Sequence, residues 1–183
     1  MQRFADNTPH SAAAFDELYH RYKDKTWRYF CRQLDQDSAR DAQQDLWTKI
    51  IERRNKYQAK NKFGGYLFSV ANSVLVDAQR KHLRVIDSAI DADAPLDTLP
   101  ADKASDPARA IDLKRAKKAL KQAISKLPLA QRNTFVLHQE SGLSYADIAE
   151  ATGTTNETVK SRLRYARKKL AEELEEELRH VEL

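Results

Sequence analysis

Between Ile86 and Ala110 the chain carries six aspartates and three prolines against one lysine and one arginine, with no amphipathic period. Such a stretch cannot bury enough apolar surface to offset the entropy of ordering it, so it reads as a flexible acidic linker. It divides the 183 residues into blocks at 10–85 and 111–183, each the size of one small domain. Both blocks space their apolar residues at the helical period rather than alternating them. Four glycines and five prolines in the whole chain also leave little turn material for a sheet. The expected fold is all-α: two small helical domains joined by the acidic linker at 86–110. No internal repeat is visible.

In the first block Phe15, Leu18, Tyr19, Tyr22, Trp27 and Phe30 mark one helix, with Thr8-Pro9 as its start. Ser38, with Asp41 three residues on, predicts the cap of a second helix whose buried stripe is Leu46, Ile50 and Ile51. "QAKNKFGG" interrupts the period, and "YLFSVANSVLVDAQRKHLR" forms a third helix with basic residues at its carboxyl end, where they suit the helix dipole. After the linker, Asp106-Pro107 opens a helix marked by Ile111, Leu113, Leu120, Ile124 and Leu127. Pro128 starts the next, "LAQRNTFVLHQ", which ends at Ser141-Gly142. Ser144 and Asp147 predict the capping of a short helix, "YADIAEAT", closed by Gly153. Thr155 caps the last helix, with Val159, Leu163, Ala166, Leu170, Leu174 and Leu178 on one face.

The net charge of +5 is compatible with a polyanionic partner without requiring one. Cys31 is the lone cysteine, so no internal disulfide framework exists; beside Phe30 it reads as a small core residue. His10, His20, His82, His138 and His180 show no metal-ligand spacing, and no cofactor motif is present. With no nucleophile elbow, phosphate loop or paired carboxylates, the chain does not read as an enzyme. No apolar run approaches a membrane span, and "MQRFADNTPH" has no hydrophobic signal core, so membrane insertion is not expected and a cytoplasmic location is.

The stretch "TGTTNETVKSRLRYARKK", Thr152 to Lys169, carries the most functional information. A short helix, a glycine turn and a second helix opening on small polar residues form the helix-turn-helix arrangement. Ala149 is small where the helices cross, and Val159 and Leu163 anchor the second helix from beneath. Asn156, Glu157, Lys160, Ser161, Arg164 and Tyr165 are left on the outer side of its first turns, where such groups read base edges in a major groove. Arg162, Arg167, Lys168 and Lys169 suit phosphates. The glutamates of "EELEEEL" would repel DNA, so contact should stop near Lys169.

"ISKLPLAQRNTFVLHQESGLSYADIAEATGTTNETVKSRLRYARKKL" resembles the C-terminal domain of RNA polymerase sigma factors of the extracytoplasmic-function type, in the sigma-70 family. "FDELYHRY", "ARDAQQDLW" and "FGGYLFSVANSVLVDAQRKHLR" are similar to the family's N-terminal domain. The resemblance implies a region 2-like bundle at 10–85 and a region 4-like helix-turn-helix domain at 111–183. It implies docking on core RNA polymerase through Asp41, Gln44, Asp45 and Trp47. It implies −10 promoter contacts from Lys60, Asn61, Lys62 and Asn72, with Arg80, Lys81 and Arg84 on upstream phosphates. It implies −35 contacts from Asn156, Glu157, Thr158, Lys160, Ser161, Arg162, Arg164 and Tyr165. Promoter DNA and core polymerase are then the partners, an anti-sigma protein is a further expected one, and the linker is expected to thread toward the polymerase's cationic RNA exit path. The polymerase, not this chain, performs the chemistry.

Two departures from the family pattern stand out. Arg40 occupies a position where an acid is common, and phosphorylation of Ser38 or Thr48 is one way to restore the negative charge. Glu157 stands where glycine is frequent, so the −35 sequence is not legible from these residues. A free-standing helix-turn-helix regulator would explain the second domain but leave the Gln44-Asp45 face without a role. A helical protein-interaction adaptor would use the charge but not the helix-turn-helix.

Overall fold

The computed structural model of the chain describes residues 11–56, 63–86 and 107–181. Among the described residues there is no strand. Helices α1 (Ser11–Cys31), α2 (Gln36–Glu52) and α3 (Phe63–Ile86) form the first domain, with a short 3₁₀ turn at Arg54–Lys56. Helices α4 (Pro107–Ser125), α5 (Leu129–Ser141), α6 (Tyr145–Thr152) and α7 (Asn156–Val181) form the second. The Thr8-Pro9 start and residues 87–106 of the acidic segment lie outside the described residues. Helix α4 begins at Pro107, four residues inside the stretch read as linker.

Each bundle buries the stripe its period foretells. Tyr29 and Phe30 of α1, Leu46 and Ile50 of α2, and Leu67, Phe68 and Leu75 of α3 are fully enclosed. In the second domain Ile124, Leu127, Leu137, Ile148, Val159 and Leu163 play that part. Ile51 and Leu120 do not join them and remain 38% and 36% exposed. Both sit at the edge of a stripe, where a 100° step per residue carries the side chain out of the interface.

The cap of α2 is not Ser38. Asp35 occupies the N-cap and accepts from the Ser38 amide at 2.9 Å, which puts Ser38 inside the first turn. The connection from α1 is only four residues long, and this earlier start turns Ala39, Ala42 and Leu46 inward together. Asp35 is partly buried, which raises its pKa, but hydrogen bonds from Ser38 outweigh that and hold it below the usual carboxylate range. Residues Phe63, Gly64 and Gly65, expected to interrupt the pattern, form the first turn of α3 instead.

The two domains pack on each other and their buried side chains form one continuous cluster. Helix α1 lies against α5, and α3 against α6. At the seam, the α3 position of Gly64 faces Leu143 at ordinary van der Waals range.

Candidate nucleic-acid interface

The helix-turn-helix is built as its residues dictate. Ser144 accepts from the Asp147 amide at 3.2 Å while the Asp147 carboxylate accepts from the Ser144 amide at 3.1 Å, a reciprocal box that starts α6. Gly153 ends it with φ +63°, the left-handed region that glycine occupies at no steric cost. The Thr155 hydroxyl accepts from the Thr158 amide at 3.2 Å and starts α7. Val159, Leu163, Ala166 and Leu170 are buried beneath, which fixes the rotation of α7 about its axis.

Diametrically opposite that buried line stand Glu157, Arg164 and Lys168, all exposed, with Ser161 half-buried among them. Asn156, Lys160 and Tyr165 are also exposed, and Thr158 and Arg162 are half-buried. The eight predicted −35 residues therefore share the amino-terminal end of α7, with Glu157, Lys160, Arg164 and Tyr165 exposed on its outward side and Thr158 and Arg162 nearer the buried line. Glu157 and Lys160 form an ion pair at 2.8 Å, and Glu157 raises the Lys160 pKa. Arg164 stacks on the Tyr165 ring at 5.1 Å. This surface offers amide, hydroxyl, carboxylate, ammonium and guanidinium groups together, the set that discriminates base edges.

Helix α2 presents a second surface. Asp41, Gln44, Asp45 and Thr48 are exposed at the i, i+3, i+4, i+7 spacing of one face. Arg40 pairs with Asp37 at 3.2 Å, so part of its charge is answered on α2 itself. Lys49 similarly holds Asp45 at 2.9 Å. The Thr48 hydroxyl donates to the Gln44 carbonyl, whereas Ser38 is half-buried beside Asp35. Trp47 does not belong to this surface. It is 6% exposed and meets Phe15 and Tyr19 edge-on at 5.9 and 5.0 Å. Its indole is part of the α1–α2 core, because residue 47 falls one step beyond the outward line of 41, 44, 45 and 48.

The −10 candidates divide. Lys60, Asn61 and Lys62 lie outside the described residues, as does the Arg84 side chain. Arg80 and Lys81 are exposed near the end of α3. Asn72 is half-buried and engaged: its amide donates to the Ala151 carbonyl at 3.0 Å and its oxygen accepts from Asn133 at 2.6 Å. Ala151 lies in the last turn of α6, where carbonyls lack intrahelical donors, so α3 supplies a cap across the domain seam.

Two models of known families match the chain, sigma-70 region 2 over residues 18–85 and sigma-70 region 4 over residues 113–170. The chain belongs to the sigma-70 family. Among its relatives is the ECF RNA polymerase sigma factor SigE of Mycolicibacterium smegmatis, 28% identical over 88% of this chain and 62% of that protein. Another is the ECF sigma factor EcfG of Rhodopseudomonas palustris, 29% identical over 74% of this chain and 70% of that one. The chain thus spans somewhat under two thirds of the first relative's length. The solved structure of the sigma factor RpoE with the anti-sigma factor NepR from Bartonella quintana shares the fold, with a TM-score of 0.75. It is 22% identical and the match covers 88% of this chain and 97% of that one. These relatives place this sigma factor in the extracytoplasmic-function branch.

Sequence reasoning about this sigma factor missed the residues that join its domains. Glu140 of α5 has a side chain only 7% exposed and accepts from Arg28 at 2.7 Å and Arg32 at 2.6 Å, both on α1. Tyr29 donates its hydroxyl to Asn133 at 2.8 Å. The only signal was a lone acid among the apolar residues of "TFVLHQES". Arg132, whose guanidinium donates to the carbonyls of Ser125 and Leu127, ties the end of α4 to α5. Cys31 is half-buried, and burial pushes its thiol up to about 11 despite nearby Lys121, which keeps it a protonated packing residue. No described helix is long and apolar enough to cross a membrane.

Proposed function

We propose that this chain binds core RNA polymerase in the bacterial cytoplasm and directs it to begin transcription at a specific class of promoter. The single observation that carries the reading is α7. A helix-turn-helix with its rotation fixed by Val159 and Leu163 turns Glu157, Ser161 and Arg164 outward at the amino end, where a −35 duplex would be read. The exposed Asp41, Gln44 and Asp45 of α2 form the polymerase-docking face, and acids with an amide suit a basic partner surface. Asn72, with residues 60–62, serves the opened −10 strand, and Arg80, Lys81 and Arg84 hold phosphates upstream of it. The joined −10 and −35 readers and a docking face favour a sigma factor over a free-standing regulator, which needs only α6 and α7, and over an adaptor, which needs no reading helix. Because the fold relative from Bartonella quintana was solved in complex with an anti-sigma factor, a partner of that kind is proposed here too.

Run-off transcription from candidate promoters with bacterial core polymerase tests the reading, with and without this protein. Promoter-dependent transcripts are expected only in its presence. Asp45→Lys should lower both core binding and transcript yield while leaving duplex binding by α7 intact. Sequence-specific DNA binding with no affinity for core polymerase would replace the sigma reading with a free-standing regulator. Absence of both would leave the adaptor.

A further inference from the structure

His138 of α5 is half-buried, and its ring meets that of Tyr145, the first residue of α6, at 5.5 Å. Its Nδ1 is enclosed without a partner among the described residues. From α7 the charged group that faces it is Arg167, close enough to disfavour its protonation. Tyr145 in turn lies within electrostatic reach of Lys160. Lys160, Arg164 and Arg167 recur at the spacing of one face, so they form a cationic strip along α7 beside the two rings. Lys160 is answered by Glu157 and Lys168 by Glu172, whereas Arg167 has no carboxylate partner among the described residues. On α6, Asp147 turns back onto Ser144, and Glu150 stands about 140° around the helix from Tyr145. The other elements packed on α5 meet it on other sides. Helix α1 brings Arg28 and Arg32, both held by Glu140, which is about 200° around α5 from His138. Helix α3 brings only the uncharged Asn72 to Asn133.

An imidazole beside a guanidinium, with no acid between them, is an arrangement that an anion improves. A phosphate oxygen there accepts from Arg167 and from the imidazolium of His138, and it cancels the repulsion that keeps His138 neutral. We propose that His138, Tyr145 and Arg167 seat one backbone phosphate of the −35 duplex, and that His138 takes up a proton as the seat fills. The seat presupposes that α7 is the DNA-reading helix, and it adds one residue each from α5 and α6 to the groups that hold the duplex. A phosphate contact of this kind fixes how α7 sits on the duplex without reading sequence. Its distinctive consequence is pH dependence. In the free protein, burial and then Arg167 hold His138 below the ordinary histidine value of about 6.5. Bound phosphate raises it, so the protonated form binds duplex more tightly. Affinity therefore climbs as pH falls through the bound value and levels off below the free one.

The test uses the full chain and a short DNA duplex of arbitrary sequence at low salt, where phosphate contacts dominate binding. Nuclear magnetic resonance titration of the His138 ring protons should give a pKa about one unit higher with the duplex than without it. His20, on α1 beside Asp16, reports the general field of the duplex and should shift far less. Fluorescence anisotropy should show affinity rising about fivefold from about pH 8 to about pH 5.5. His138→Gln should lose that rise. His138→Arg, charged throughout, should bind at about pH 8 as the parent does at about pH 5.5. The resonance titration needs only the parent, so it decides the matter even where a variant fails to fold. A His138 shift no larger than that of His20 would overturn the seat, and so would a pH dependence that His138→Gln retains in full. Failure of the parent to bind duplex at any pH would remove the DNA reading of α7, and the seat with it.

Discussion

Trp47 and its neighbours Gln44 and Asp45 sit within one turn of α2, yet they do different work. Trp47 fills the α1–α2 interface against Phe15 and Tyr19, and its indole nitrogen has no partner among the described residues. Trp47→Ala should therefore cost about 3–5 kcal/mol through the lost burial and the cavity left behind. Gln44→Ala and Asp45→Ala should leave thermal melting nearly unchanged while weakening binding to core polymerase, measured by titration. If Trp47→Phe weakened polymerase binding without lowering the melting temperature, its placement in the core would be wrong. His138 gives a pH prediction at the same scale. Burial, with Arg167 nearby, lowers its pKa from the ordinary value of about 6.5, and its Nδ1 is enclosed without a partner. The unfolded chain then binds more protons than the folded one as pH falls below about 6.5, so stability contributed by His138 is full above that pH and lost below it. His138→Gln should flatten the acid side of a melting-temperature profile and leave the alkaline side alone. The capping residue of α2 was misread because Ser38 and Asp41 imitate a box, while the carboxylate of Asp35 reaches the Ser38 amide first.

As an element, α7 depends on what precedes it. The Ser144–Asp147 box and the left-handed Gly153 set the direction in which α7 leaves α6. Ser144→Ala should cost about 1 kcal/mol through removal of the cap, and Gly153→Ala about 1–2 kcal/mol as a residue forced into the left-handed region. Gly153→Ala should weaken duplex binding further than its stability loss explains, which chemical denaturation and fluorescence anisotropy together can separate. Arg164 and Lys168 stand on the outward line of α7. Replacing Lys168 by alanine should remove one phosphate neutralisation and reduce the slope of log affinity against log salt by about 0.9, whereas Arg164→Ala should relax the base preference. Glu157→Gln should leave that slope unchanged and relax the base preference at one position by about 1–3 kcal/mol. A uniform fall in affinity across sequences would instead place Glu157 away from the bases. These features were legible because a helix-turn-helix is local: its box, turn and stripe lie within Ser144 to Leu163.

At the scale of the whole molecule, Glu140 couples the domains more than it stabilises either one. Arg28 and Arg32 are 38% and 24% exposed at the side chain, so both can turn to water when the carboxylate is removed. Glu140→Ala should thus cost less than the about 3–5 kcal/mol typical of breaking a fully buried pair. Its clearer effect should be on cooperativity: calorimetry of the parent should show one transition, and the variant two as the domains melt separately. A single transition lowered equally in both domains would mean that Glu140 belongs to the second domain's own core. The heavier dependence of domain docking on charged and polar groups also predicts that added salt loosens the closed form before it melts the helices.

Local physics determined the helices, their type and most of their buried faces, since the 3.6-residue period of Phe30, Leu46, Leu75, Leu137 and Leu163 depends on neighbours along the chain alone. It also determined the family, whose motifs are runs of adjacent residues. Tertiary structure decided which face a borderline residue joined, enclosing Trp47 and leaving Ile51 and Leu120 at the surface. It alone decided how the domains meet. The partners there are far apart in sequence, Arg28 with Glu140 and Asn72 with Asn133. No period or cap encodes such a pair, because its energy arises only after each domain has folded and brought its own half to the seam.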